Sequence, residues 1–142
     1  MFTIALQRRR LRSTEPEDAT FTFRWRADLQ FFVVALTRLR SAAKAFRKAR
    51  WVKIDEAITR FDEALPSLLL MRDVAEHIDE YAVDSSKRLR KHVQRFELAV
   101  FQWNGSTFKW LGTDFDIGAA SEAAKELFNS MMEEKRRFMA RQ

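Results

Sequence analysis

The stretch that decides the fold is residues 26–50, which read RADLQFFVVALTRLRSAAKAFRKAR. Its apolar side chains recur every three or four positions, at Leu29, Phe32, Leu36, Leu39, Ala43 and Phe46. Because about 3.6 residues make one turn of an α-helix, this spacing places all of them on one face. The stretch contains neither glycine nor proline, so nothing in it interrupts a helix. We predict a long helix here that buries one face in the core.

Three other segments have the same periodicity. Residues 53–65, 66–82 and 119–140 each carry apolar side chains at helical spacing. Pro66 favours the start of a helix, because the missing N–H of proline costs nothing in the first turn. Residues 20–25 alternate polar and apolar side chains, which fits either a short strand or the first turns of the long helix.

A different pattern occupies residues 98–111. Two β-prone runs, 98–103 and 107–111, flank Asn104-Gly105, and Asn-Gly between such runs is a strong hairpin signal. The segment between Gly112 and Gly118 is expected to be a loop. Residues 1–20 are rich in charge with little to bury, so we expect them to be weakly ordered. The sequence thus predicts a mainly α fold over residues 21–142, a small up-and-down bundle of four or five helices with a short hairpin.

Composition limits the function classes. The chain has 142 residues, which suits one domain. It has no cysteine and three glycines, which excludes disulfides, thiolate chemistry and a glycine-rich phosphate loop of the usual type. The longest apolar run near the start, residues 31–36, is too short to span a bilayer. We therefore expect a cytoplasmic protein with no cofactor, no bound metal and no membrane partner.

The net charge is +6, and the basic residues fall into three clusters. The first is Arg8, Arg9, Arg10 and Arg12. The next, with no acid among them, is Arg38, Arg40, Lys44, Arg47, Lys48, Arg50 and Lys53. The last is Lys87, Arg88, Arg90, Lys91 and Arg95. Each fits a solvated surface or a contact with nucleic acid, and we predict the last cluster as the nucleic-acid-binding one.

The chemically richest segment is residues 71–81, MRDVAEHIDEY, in the third predicted helix. His77 is one of two histidines in the chain, and the unperturbed imidazole titrates near neutral pH. It is therefore the first candidate for proton transfer. Asp73 precedes it by one helical turn, and Arg72 is directly before Asp73.

Arg72, a polar residue directly after it, and His77 after four intervening residues resemble the motif of the HEPN superfamily. The likeness covers about a dozen residues, within a helical layout at residues 26–84 that is compatible with that family. Members are small helical bundles, commonly dimeric, and many are metal-independent ribonucleases of toxin–antitoxin and phage-defence systems. The resemblance implies a homodimer that handles RNA, with an antitoxin or another protein as a further partner.

On this resemblance the three residues have distinct roles. RNA carries its own nucleophile, the 2′-OH, so the site needs a base, an acid and a cation for the charge on phosphorus. His77 would be the base or the acid, Arg72 would hold the phosphate, and Asp73 would orient the imidazole.

The same residues have two other interpretations. In the first, Arg72 pairs with Glu76, and Glu80 or Asp73 pairs with His77, as salt bridges on a solvated face. The chain would then be a non-catalytic helical interaction or nucleic-acid-binding module. In the second, Asp73, His77 and Glu80 hold a metal, with His92 as a distant fourth ligand.

Overall fold

The computed structural model describes residues 1–13, 24–48, 54–82, 93, 97–98 and 102–141. Within these ranges it contains six helices and a three-stranded antiparallel sheet. The predicted fold class, mainly α with a hairpin, is confirmed. The helix bounds are α1 Phe2–Arg12, α2 Arg24–Lys48, α3 Asp55–Ala64, α4 Leu68–Glu76, α5 Ile78–Ala82 and α6 Ile117–Met139. The strands are β1 Gln102–Trp103, β2 Thr107–Trp110 and β3 Thr113–Asp116.

Helix α2 is at the centre of the molecule, because α1, α3, α4 and α6 all pack against it. Its predicted apolar face is in the core, with Leu29, Phe32, Leu36 and Ala43 fully enclosed. Val33, on a neighbouring face, is enclosed as well, so α2 is covered on more than one side. The predicted helices at 26–50, 53–65 and 119–140 correspond to α2, α3 and α6. Among the helices described here, none is both long and apolar enough to cross a membrane.

The expectation of a weakly ordered segment over residues 1–20 is wrong for its first half, which forms α1. Ile4, Gln7 and Leu11 are spaced by three and four positions and are buried, and α1 packs on α2 and α6. Arginines lie between these positions in the sequence, so the short buried stripe is hard to recognise from the residue pattern. A long arginine side chain keeps its charged end in water while its neighbours pack, so a run of charge does not prevent a buried face. Residues 14–20 lie outside the described ranges, as do residues 20–23 of the segment with the alternating pattern.

The predicted hairpin is present as β1 and β2, and its turn follows the expected chemistry. The Asn104 side-chain oxygen accepts hydrogen bonds from the backbone N–H groups of Ser106 at 3.0 Å and Thr107 at 2.8 Å. Gly105 has a φ of 95°, a conformation that favours glycine. Residues 99–101 of the predicted hairpin are outside the described part of the chain.

The loop expected between Gly112 and Gly118 is wrong, because β3 extends the hairpin to a third strand. Leu111 and Gly112 join β2 to β3 with φ values of 52° and 70°, a two-residue connection of type I′ character. The cross-strand partners Phe108 and Phe115 are buried and stack with ring centroids 4.9 Å apart. Burial of this aromatic pair accounts for the third strand.

Helix α6 begins directly where β3 ends. The Asp116 side chain caps it by accepting a hydrogen bond from the Ala119 N–H at 2.7 Å. The Ile117 N–H donates to the Ser106 carbonyl at 3.0 Å, which ties the hairpin turn to the start of the helix. The Ser67 hydroxyl donates to the Thr113 hydroxyl at 3.2 Å, so the sheet is also linked to the start of α4.

The single helix predicted over residues 66–82 is wrong, because the chain leaves helical geometry at His77. Helix α4 ends at Glu76, His77 has φ −131° and ψ 38°, and α5 starts at the next residue. Four carboxylates crowd this region, at Asp73, Glu76, Asp79 and Glu80. Like charges three and four positions apart destabilise a continuous helix, and acids near a helix C-terminus oppose its dipole. The break therefore falls on the candidate catalytic residue.

Candidate functional site

Helix α4 has two faces, and the candidate residues lie on the outer one. Leu68, Met71 and Val74 are buried where α4 packs on α2. Arg72 is turned about 100° away from Met71 around the helix, and its side chain is 45% exposed. The His77 side chain, just beyond the helix end, is 38% exposed. Both functional groups therefore reach solvent at the α4–α5 junction.

The Arg72 guanidinium forms an ion pair with Glu76, one turn further along α4. This pair is the one that the salt-bridge interpretation predicted. Both side chains are more than a third exposed, and exposed pairs of this kind contribute roughly 0–1 kcal/mol to stability. The Arg72 pair thus contributes little to the stability of the fold, and the guanidinium remains accessible to a ligand.

The His77 imidazole faces Glu80, with Nδ1 3.5 Å from the carboxylate Oε1. Asp73, which the sequence predicted as the residue that orients the imidazole, has a different partner. Its Oδ2 accepts a hydrogen bond from the Tyr81 hydroxyl at 2.8 Å, across the break between α4 and α5. The role predicted for Asp73 is therefore corrected: Glu80 is the carboxylate at the imidazole.

The structure places Arg72, Asp73 and His77 in one short segment without joining their side chains. In the part of the chain that the structure describes, no side-chain hydrogen bond or ion pair connects any two of them, although the His77 backbone N–H donates to the Asp73 carbonyl at 3.0 Å. Nor do three or more histidine, aspartate or glutamate side chains of the described residues come close enough to hold a metal ion. The alternative site of Asp73, His77 and Glu80 is therefore not assembled, and His92 lies outside the described ranges.

The exposed α4–α5 junction lies apart from the two cavities beside α1. Two cavities lined by described residues, about 530 Å³ between α1 and α2 and about 350 Å³ between α1 and α6, are elsewhere. None of Arg72, Asp73 and His77 lines either of them. A substrate at the junction would therefore need a second surface to enclose it.

Two arginines of the middle basic cluster form ion pairs with carboxylates of α3. Arg40 donates two hydrogen bonds to the Asp62 carboxylate of α3, at 2.5 and 2.6 Å. These hydrogen bonds raise the pKa of Arg40, although burial acts to lower it. Arg47 pairs with Asp55 at 2.8 Å. Both arginines pair with carboxylates of α3, and the less exposed Arg40 pair is the structural one.

The residues predicted to bind nucleic acid, Lys87, Arg88, Arg90, Lys91 and Arg95, lie outside the described ranges. That assignment stays a prediction. Comparisons with family models, with curated proteins and with solved structures find no match to this chain. The functional argument therefore depends on the chemistry of the residues themselves.

Proposed function

We propose that this protein acts on RNA at the α4–α5 junction, as a HEPN-like, metal-independent endoribonuclease of a cytoplasmic toxin or defence system. The observation that best supports this is the accessibility of Arg72 and His77. Each reaches solvent, and its partner among the described residues is a nearby glutamate of the same segment. An RNA phosphate can compete with such an exposed carboxylate at low cost, because the exposed pair contributes little free energy.

The chemistry requires one proton removed and one delivered. The RNA 2′-OH loses its proton to a base and attacks the adjacent phosphorus, and the bond from phosphorus to the 5′-oxygen breaks as an acid protonates that oxygen. The products are a 2′,3′-cyclic phosphate and a 5′-OH end. The Arg72 guanidinium stabilises the extra negative charge on the phosphoryl oxygens. Because Glu80 faces Nδ1 of His77, Nε2 is the nitrogen left for proton transfer.

The proposal includes a homodimer. One protomer supplies one histidine at the junction, whereas the reaction needs both a base and an acid. A second copy facing the first across the open surface would provide the other histidine and enclose the RNA. In a toxin system an antitoxin, or another protein partner, would control access to the same surface.

The test is incubation of the purified protein with mixed single-stranded RNA, with and without EDTA, beside His77→Ala and Arg72→Ala. We expect cleavage that survives EDTA and falls at least about a hundredfold in both variants, the range in which general acid–base groups act. Arg60→Ala is the matched control, because it breaks an exposed i,i+4 pair with Glu56 on α3. His92→Ala removes the other histidine. Full activity in both His77→Ala and Arg72→Ala would show that these residues are not catalytic.

A second candidate function is a non-catalytic helical module that binds nucleic acid or another partner. The observation that favours it is the acidity of the junction, where Asp73, Glu76, Asp79 and Glu80 follow Arg72 within eight positions of the sequence. Four carboxylates repel a phosphate. In this case no lane of the assay contains cleaved RNA, and neutralising Lys87, Arg88, Arg90 and Lys91 weakens nucleic-acid affinity and its salt dependence. An affinity that is insensitive to salt would contradict this second candidate.

A further inference from the structure

The groove between α1 and α6 has a chemistry that the α4–α5 junction does not use. It encloses about 350 Å³ and is lined by four cationic side chains, Arg8, Arg9, Arg12 and Lys125. Glu122 is the carboxylate among its lining residues, and Met1 and Ala5 add apolar surface. We refer to this feature as the α1–α6 groove.

Positive charge in the α1–α6 groove is not balanced by the fold. Glu122 is shared, 3.6 Å from Arg8 Nη1 and 3.6 Å from Lys125 Nζ. Among the residues that the structure describes, neither Arg9 nor Arg12 has an ion-pair partner. Arg10 behaves differently, because it pairs with the buried Asp28 at 2.9 Å. Three of the four arginines of α1 are therefore left with one carboxylate between them.

Arg8 carries a second sign of an incomplete site. Its Nε is buried and has no hydrogen-bond acceptor within the described ranges. An arginine Nε can only donate, and buried donors without an acceptor are rare in folded proteins. An anion bound beside the Arg8 guanidinium would relieve the repulsion among the cations.

We propose that the α1–α6 groove binds the phosphate groups of a single-stranded nucleic acid. The guanidinium group matches a phosphate with a planar fork of donors, and Arg8 and Arg12, at i and i+4, lie on the same side of α1. The groove is concave and open to solvent, so a chain can pass along it with a base or sugar against Met1 and Ala5. A membrane surface would instead require a protruding cationic face. This binding needs neither His77 nor a 2′-OH, so it is independent of the ribonuclease proposal.

The test measures binding of a fluorescein-labelled single-stranded DNA 12-mer, which lacks the 2′-OH that the proposed cleavage needs. We expect the Arg9→Ala/Arg12→Ala double variant to bind at least about tenfold more weakly at low salt. The slope of log Kd against log salt concentration should shrink by roughly 0.7 for each phosphate that the variant no longer neutralises. The matched control is Arg136→Ala/Arg141→Ala, which removes the same charge from exposed positions at and just after the C-terminal end of α6 and should change Kd less than about twofold. Equal losses of affinity in the two double variants would mean a general charge effect and overturn the groove site.

For a third variant we expect the opposite change in affinity for the oligonucleotide. Glu122→Gln removes the groove carboxylate and should tighten binding of the oligonucleotide, whereas weaker binding would contradict the proposal. Inorganic phosphate and a mononucleotide serve as competitors. Each should displace the oligonucleotide when the competitor concentration is well above the Kd of the oligonucleotide. The last measurement tests whether the protein binds vesicles of phosphatidylglycerol. Vesicle binding that depends on Arg9 and Arg12, with no oligonucleotide binding, would assign the groove to a membrane surface and overturn the proposal.

Discussion

Arginine–carboxylate pairs occur both around α2 and at the α4–α5 junction, and the burial of one partner separates their roles. Around α2 one partner of each pair is buried: Asp28 is 2% exposed beside Arg10 at 48%, and Arg40 is 13% exposed beside Asp62 at 37%. At the junction, Arg72 and its partner are 45% and 38% exposed. A buried carboxylate depends on its partner because it cannot return to water, whereas exposed groups exchange partners freely. The pairs around α2 thus stabilise the fold, whereas the pairs at the junction leave Arg72 and His77 accessible to a ligand.

The largest effect on stability should come from the core of α2. Phe32→Ala removes a fully enclosed side chain and should lower the free energy of unfolding by about 3–5 kcal/mol. Its neighbour Phe31, 59% exposed, is the control, and Phe31→Ala should cost less than about 1 kcal/mol. Chemical denaturation monitored by circular dichroism measures both. Equal costs would mean that the face of α2 described as buried is not the core.

The next effect concerns the buried carboxylate of α2. Arg10→Ala leaves Asp28 with Arg24, whose Nε is 3.7 Å away, so the unfolding free energy should fall by about 2 kcal/mol. The same denaturation experiment applies. Asp28→Asn in the Arg10→Ala background should recover part of the loss, because it removes the unpaired charge. No recovery would indicate that Arg10 acts through packing instead of charge.

A smaller loss is expected for the pair that joins α2 to α3. Arg40→Ala should cost about 1–2 kcal/mol, below the value for a fully buried pair because Asp62 is 37% exposed. Since hydrogen bonding raises the pKa of Arg40, its contribution is fully present below the usual arginine pKa. The difference in stability between wild type and variant should therefore be constant from about pH 6 to pH 9. The exposed pair formed by Arg47 serves as the control, with an expected cost under about 0.5 kcal/mol for Arg47→Ala.

The smallest effect on stability should come from the junction. Arg72→Ala and Glu76→Ala should each change the unfolding free energy by no more than about 0.5 kcal/mol, and added salt should reduce that change further. The RNA cleavage assay should nevertheless distinguish the Arg72→Ala variant sharply from wild type. A stability loss comparable with that of Arg10→Ala would place Arg72 among the structural arginines and remove the contrast between the two regions.

The sequence predicts the helices with wide apolar stripes well. Leu29, Phe32 and Leu36 are spaced so regularly that α2 follows from periodicity, and Asn104-Gly105 identifies the first hairpin turn. The missed elements lack such signals. Helix α1 has a short buried stripe among arginines, and the turn into β3 uses Leu111, a residue type not expected at positive φ. Its conformation is set by the packing of the strands and not by local preference.

At the candidate site, too, the sequence predicts some contacts and misses others. The Arg72–Glu76 and His77–Glu80 pairs were predictable, because their members are three or four positions apart in one segment. The break at His77 and the Tyr81–Asp73 hydrogen bond were not, since both depend on how the segment ends. The α1–α6 groove joins Arg8 to Glu122 from distant parts of the chain, so only tertiary packing reveals it.

The direct passage from β3 into α6 has a mechanical consequence. With Asp116 capping the helix and Ile117 bonded to Ser106, the sheet and the first turn of α6 form one stiff joint. The helix extends from this joint for 23 residues, about 34 Å at 1.5 Å per residue. It therefore acts as a lever arm: a tilt of about 5° at the sheet would carry its far end through about 3 Å. A partner that grips the small sheet would in this way move the C-terminal end of α6, near Met139, much further than the groove residues Glu122 and Lys125 close to its start.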